Sequence, residues 1–154
     1  MSLYNVTIEH SVDIAADRDR IWRALTDPAS VAIWDTGIVA AVDAPADYPL
    51  RGQTVRWRYR LLGLPLILVD RPQEVVPLQR LRTLISLAFL RLDETYTLAT
   101  SPANEGHTRL GICLHVGNAL PIFGRAFDRH IGEGLARQTI TQSLSAIRDF
   151  CEKN

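Results

Sequence analysis

The chain has 154 residues, 47% of them hydrophobic, and its 17 Lys plus Arg balance 17 Asp plus Glu to a formal net charge of zero. That length fits one domain over residues 1–154, whose folding buries roughly 70% of the surface that the unfolded chain exposes. A zero net charge supplies no overall field to gather phosphate backbones, so nucleic acid is not an expected partner. The two cysteines, Cys113 and Cys151, lack CxxC spacing, and MSLYNVTIEH has neither the basic nor the apolar region of a signal peptide. A cytoplasmic location is the expectation. The longest apolar run, Leu61 to Val69, is interrupted by Gly63 and Pro65 and falls far short of the ~20 residues that cross a bilayer.

From Val6 to Ile14, Ile8, His10, Val12 and Ile14 alternate with Glu9, Ser11 and Asp13, the period of a strand with one buried face. Asp17 then precedes Ile21, Trp22 and Leu25 at helical spacing, and Asp27-Pro28 stops that helix. Trp22 completes its buried face with Leu25. A second short helix is expected over Ala29 to Trp34. Gly37 opens a strand over Ile38 to Val42, and Ala44 to Leu50 is a proline-bearing loop. In Thr54 to Leu61, Val55, Trp57, Tyr59 and Leu61 share one face while Arg56, Arg58 and Arg60 share the other, as in a strand with one wet side.

Gly63-Leu64-Pro65 reads as a turn into Leu66 to Val76, where Pro72 marks a bulge or an edge. Arg80 to Phe89 alternates again, with Leu81, Thr83, Ile85, Leu87 and Phe89 together. In the next strand Leu92, Glu94, Tyr96 and Leu98 share a face. After a loop over Ser101 to Gly106, Thr108 to Val116 forms the last strand, its outward residues including Arg109, Cys113 and His115. Pro121 to Lys153 then reads as one long helix.

Parallel strands need crossover helices, and no helical pattern occurs between Val39 and Val116. The fold class is therefore α+β: a curved antiparallel sheet of about seven strands, two short helices after the first strand, and a long C-terminal helix. One helix cannot cover the whole concave face of such a sheet, so the arrangement builds a container.

At this point the chain resembles the superfamily of START lipid-transfer domains, pollen allergens and bacterial polyketide cyclases (SRPBCC), whose architecture is the helix-grip fold. The resemblance rests on Ser11-Val12-Asp13-Ile14-Ala15-Ala16, Arg20-Ile21-Trp22-Arg23-Ala24-Leu25-Thr26-Asp27, Trp34, Gly52, Pro77 with Arg80-Leu81, and Tyr96-Thr97-Leu98. Gly106-His107-Thr108-Arg109-Leu110 is similar to the turn that opens the last strand in such proteins, with His107 inserted. The resemblance implies an apolar cavity between sheet and helix, reached through a portal near which Trp34 is expected.

Polar residues on the inward faces are the candidates for chemistry. His10 shares the face of Ile8, where a buried imidazole could meet a ligand or be satisfied by backbone. Glu94 lies between Leu92 and Tyr96, where burial without a cation would raise its pKa, the alternative being a solvated strand end. Asp70 is read as an exposed strand end because Pro72 follows it. Trp57 and Tyr59 offer flat apolar area with one polar tip each, suited to aromatic ligands or to ordinary packing.

The candidate ligand contacts are His10, Trp34, Trp57, Tyr59, Phe89, Tyr96, Phe127, Ile131 and Leu135, and the candidate catalytic residues are His10, Tyr59 and Glu94. His107 and His130 lack metal-ligand spacing, and there is no P-loop, GxGxxG or GxSxG, so neither metal nor cofactor is expected.

On a helical wheel Phe127, Ile131 and Leu135 form one stripe, and Ala136, Ile140, Leu144, Ile147 and Cys151 another on nearly the opposite side. Gly132 and Gly134 lie at the changeover, which predicts a kink or break there. The apolar stretches Leu61 to Leu68 and Ala119 to Phe123 are expected at the portal, with transient membrane or protein contact. Three functions fit this pattern. The favoured one is a carrier or sensor of a small hydrophobic molecule such as a lipid, quinone or aromatic polyketide. The others are a polyketide cyclase/dehydratase-like enzyme and an interaction module whose cavity is filled by its own side chains.

Overall fold

The computed structural model of the protein describes residues 4–118 and 129–153. Seven strands are present among them: β1 (Tyr4–Ile14), β2 (Ile38–Ala41), β3 (Val55–Leu61), β4 (Leu64–Val76), β5 (Arg80–Leu87), β6 (Leu90–Thr100) and β7 (Thr108–Asn118). They form one antiparallel sheet in the order β1-β7-β6-β5-β4-β3-β2, so the first strand pairs with the last. Between β1 and β2 lie α1 (Arg18–Thr26) and α2 (Pro28–Trp34), and α3 (Arg129–Glu152) closes the chain.

Both short helices start where the sequence supplies an acceptor for orphan amides. Asp17 accepts from the Arg20 amide at 2.9 Å and Asp27 from the Ser30 amide at 3.2 Å, with Pro28 opening α2. Trp34 is buried, and its indole N–H donates to the Ala24 carbonyl at 2.7 Å. It ties α2 to α1, which removes it from the portal role expected of it.

The inward faces follow the sequence pattern, row by row across the sheet. One row runs His10, Ile112, Tyr96, Leu81 and Val75, and the next Ile8, Leu114, Glu94, Thr83 and Pro72. A register shift between Pro72 and Glu74 is the bulge that Pro72 predicts, but it lies in an interior strand. Phe89 is not a strand residue: β5 ends at Leu87, and Phe89 sits in the β5–β6 turn, 38% exposed. The expected loop from Leu61 to Leu68 contracts to a turn at Leu62-Gly63, because β4 already begins at Leu64. The companion stretch Ala119 to Phe123, and Phe127, lie outside the described residues.

α3 is continuous through Gly132 and Gly134, so the expected break is absent. Its stripe of Ala136, Ile140, Leu144, Ile147 and Cys151 is buried, while Leu135 is 55% exposed. A helix laid on a sheet buries one face, and the stripe with more large aliphatic residues takes it. Full burial of each of Ile140, Leu144 and Ile147 contributes about 1.5–3 kcal/mol. The described residues of α3 pack against β1, β7, α1 and α2, that is, toward one side of the sheet. There Ile14, Leu110 and Ile147 are sealed from solvent.

Gly134 is exposed, and a Cβ added to it meets nothing within 4 Å. Gly134→Ala is therefore expected to raise stability by about 0.5–1 kcal/mol in urea denaturation, through helix propensity alone.

Candidate functional site

A second apolar cluster, Ile38, Val55, Trp57, Leu68 and Leu87, lies toward the β2 side of the sheet, apart from the main core around α3. Along the inner face there, Tyr59, Leu66, Ile85, Leu92 and Glu94 point inward yet remain only half-buried. This part of the inner face is thus less completely buried than the region under α3.

Polar side chains gather along this face. Asp70, read from sequence as a solvated strand end, is 5% exposed and lies in register between Val55 and Ile85. The bulge follows it, so its phase with the inward face is kept. Its carboxylate accepts from the Tyr48 hydroxyl at 2.7 Å and from the Thr83 hydroxyl, and the Trp57 indole N–H is a third donor. Burial raises the Asp70 pKa and these donors partly offset it. Trp57 is itself almost fully buried, with the Tyr48 ring edge-on to it at 5.9 Å between centroids. It is thus committed to packing and to Asp70.

Glu94 is the carboxyl with fewest partners in this group. It sits mid-strand in β6, opposite Thr83 and Leu114, and its hydrogen-bond partner is the Tyr96 hydroxyl two residues on. Burial, then the charges of Asp35 and Asp70, push its pKa to about 8. At neutral pH it is mostly a protonated acid with a proton to donate. The phenols follow the same logic, since burial and nearby carboxylates hold Tyr96, Tyr59 and Tyr48 above their ordinary range.

Asp35, which is not among the sequence candidates, caps the C-terminus of α2. Its carboxylate accepts from the Gly37 amide at 3.0 Å, and burial raises its pKa against that bond and one from Ile38. A Cβ on Gly37 would lie 2.6 Å from the Tyr59 hydroxyl. Glycine is therefore needed for the phenol to lie across the start of β2.

The remaining candidates separate from this group. His10 keeps its register opposite Ile112 on the edge strand β1 but is exposed and borders the groove on the outer face. Tyr96 is buried beside Glu94. Leu135 faces solvent, and the side chain of Ile131, like Phe127, lies outside the described residues.

A surface groove of about 770 Å³ lies on the opposite face of the sheet, around Glu9, Arg82, Asp93, Thr95 and His115. The bidentate pair of Arg82 with Asp93, at 2.9 and 2.7 Å, crosses it. His115 there accepts or donates toward Thr7 at 2.8 Å. Among the described residues no group of His, Cys, Asp and Glu could hold a metal ion, and no helix is long and apolar enough to cross a membrane.

A long C-terminal helix gripped by a curved antiparallel sheet, with two short helices after the first strand, defines the class of helix-grip proteins. The family model described as polyketide cyclase / dehydrase and lipid transport matches residues 5–152, and the chain belongs to that family. Solved structures share the fold at low identity. A START superfamily protein from Mycobacterium smegmatis has a TM-score of 0.78 at 15% identity, over 96% of this chain and 97% of that one. The ZhuI aromatase/cyclase from Streptomyces sp. R1128 has a TM-score of 0.76 at 17% identity, over 96% and 94%. Protein CV1439 from Chromobacterium violaceum has a TM-score of 0.73 at 21% identity, over 96% and 98%. No curated protein matches the sequence.

Two outcomes follow from the site. Because the folded-state pKa of Glu94 lies above its ordinary 4.5, the native protein holds a proton that the unfolded chain has released, so stability falls as pH rises from 4.5 toward about 8. Glu94→Gln removes that slope, and its thermal or urea stability should gain on the parent by on the order of 1–3 kcal/mol between about pH 5 and about pH 8. Gly37→Ala should cost about 1–3 kcal/mol through the clash with Tyr59. In a double-mutant cycle, Tyr59→Leu should return most of that loss.

Proposed function

We propose that residues 1–154 act as one ligand-binding domain, a carrier or sensor for a small, largely hydrophobic molecule held between the sheet and α3. The observation that carries this reading is the half-accessible inner face around Glu94, beside a region that α3 seals completely. Membership of a family of cyclases, dehydrases and lipid-transport proteins supports it. An accessible inner face counts against the interaction-module reading, which needs a filled interior.

The chemistry of the face narrows the ligand. Leu66, Ile85 and Leu92 supply apolar contact, and Tyr59 supplies a ring with a hydroxyl tip. Protonated Glu94 donates to a ketone or hydroxyl oxygen, whereas a ligand carboxylate would meet Asp35 and Asp70 as well. A neutral lipid, quinone or aromatic polyketide suits the face better than a fatty acid anion.

Glu94 also supports a second reading, proton transfer on a polyketide-like substrate. A carboxyl with a pKa of about 8, hydrogen-bonded to a phenol, is poised as a general acid at neutral pH. His10, being exposed, drops out of that scheme.

Native mass spectrometry after incubation with neutral lipids, quinones, aromatic polyketides and fatty acids tests both readings. Binding of a neutral compound, weakened about tenfold by Tyr59→Ala, is the expected result. An empty panel would sink the carrier reading. Turnover of a bound polyketide that Glu94→Gln abolishes, with binding retained, would transfer the conclusion to the enzyme.

A further inference from the structure

The neutral total charge hides an uneven surface. From Thr54 to Val69, and again from Leu84 to Leu92, the chain has no Asp or Glu, yet it carries Arg56, Arg58, Arg60 and Arg91. These segments build the β3–β4 and β5–β6 hairpins, whose turns point to the same end of the sheet. Leu68 pairs with Leu87 at the second turn, so the β3–β4 hairpin projects past it by the Leu64 to Ile67 stretch.

The projecting tip is apolar. Leu62 is 96% exposed, Leu64 63% and Ile67 48%, with Phe89 at the neighbouring turn. Its two-residue turn places Leu62 at φ 50° and Gly63 at φ 80°, left-handed at both positions. Such a turn favours Asn-Gly or Gly-Gly, because a leucine there carries a conformational cost that Asn or Gly avoids. Nothing in the turn itself requires Leu62. Just behind it, Arg58 and Arg60 are exposed opposite Ile67 and Pro65, whereas Arg56 is held by Asp43 at 2.8 Å.

We infer that the β3–β4 tip docks on an anionic lipid bilayer, with Leu62 and Leu64 entering the acyl boundary and Arg58 and Arg60 meeting headgroup phosphates. A narrow apolar apex backed by cations fits a headgroup layer. A protein partner would want roughly 800 Å² per side, more than one hairpin apex offers. The docking stands whether or not the interior holds a ligand.

Vesicle flotation of the full chain tests it, with phosphatidylcholine alone against phosphatidylcholine mixed with phosphatidylglycerol, at low and at physiological salt. The protein should float with the anionic vesicles alone, and less so as salt rises. Leu62→Asp should weaken partitioning by about tenfold, and Arg58→Glu or Arg60→Glu by about fivefold each. Leu62→Asn guards against misfolding, since asparagine suits the turn: it should keep or raise the melting temperature while losing flotation. No flotation with anionic vesicles, or full flotation by Leu62→Asn, would overturn the proposal. Capture by an acidic protein without flotation would overturn it in favour of a protein partner.

Discussion

The inner face of the sheet is wider than one helix can cover, and the rest of the structure depends on that mismatch. Seven strands about 4.8 Å apart span roughly 30 Å, whereas a helix with its side chains is about 10–12 Å across. The stripe from Ala136 to Cys151 packs over β1 and β7, with Leu81, Tyr96 and Leu98 in the same core, while Tyr59, Leu66, Ile85, Leu92 and Glu94 on the rest of the inner face are left half-buried. Two apolar clusters instead of one are the packing consequence. A less covered stretch of inner face is what remains when one amphipathic helix is laid on one side of a curved sheet.

Polar groups collect where the helix does not reach, and they share one electrostatic problem. Asp35, Asp70 and Glu94 all have raised pKa values, and the charges that act on Glu94 are the other two carboxylates. Three acids can share such a space when they divide the roles. Asp70 is held by Tyr48, Thr83 and Trp57, Asp35 by backbone amides, and Glu94 by retaining its proton. Glu94 is thus the one of the three whose charge is not met by several donors.

Strand phase was legible in the sequence because alternation is a local property. The arginines of β3 fall outward and Glu94 inward, as the pattern requires. What was not legible came from tertiary contacts. Asp70 looked like a strand end beside Pro72, since no local signal says that a proline sits at a bulge inside the sheet. Trp34 looked free for a portal until its indole found the Ala24 carbonyl. His10 has the right phase but is exposed on an edge strand, and strand order is not a local property. Asp35 and Tyr48 matter through partners that are distant in sequence or through burial alone. A sequence clue for Asp35 was available in Asp-x-Gly just after a helix, a spacing that lets the carboxylate accept the glycine amide.

Trp57 gives the molecule an internal gauge. Its indole packs against Tyr48 and donates to Asp70, a carboxylate whose charge is felt by Glu94. The other two tryptophans sit with the short helices. Any change in the proton balance of these acids therefore alters the field at one buried fluorophore, and the protein's own light emission follows it without a label.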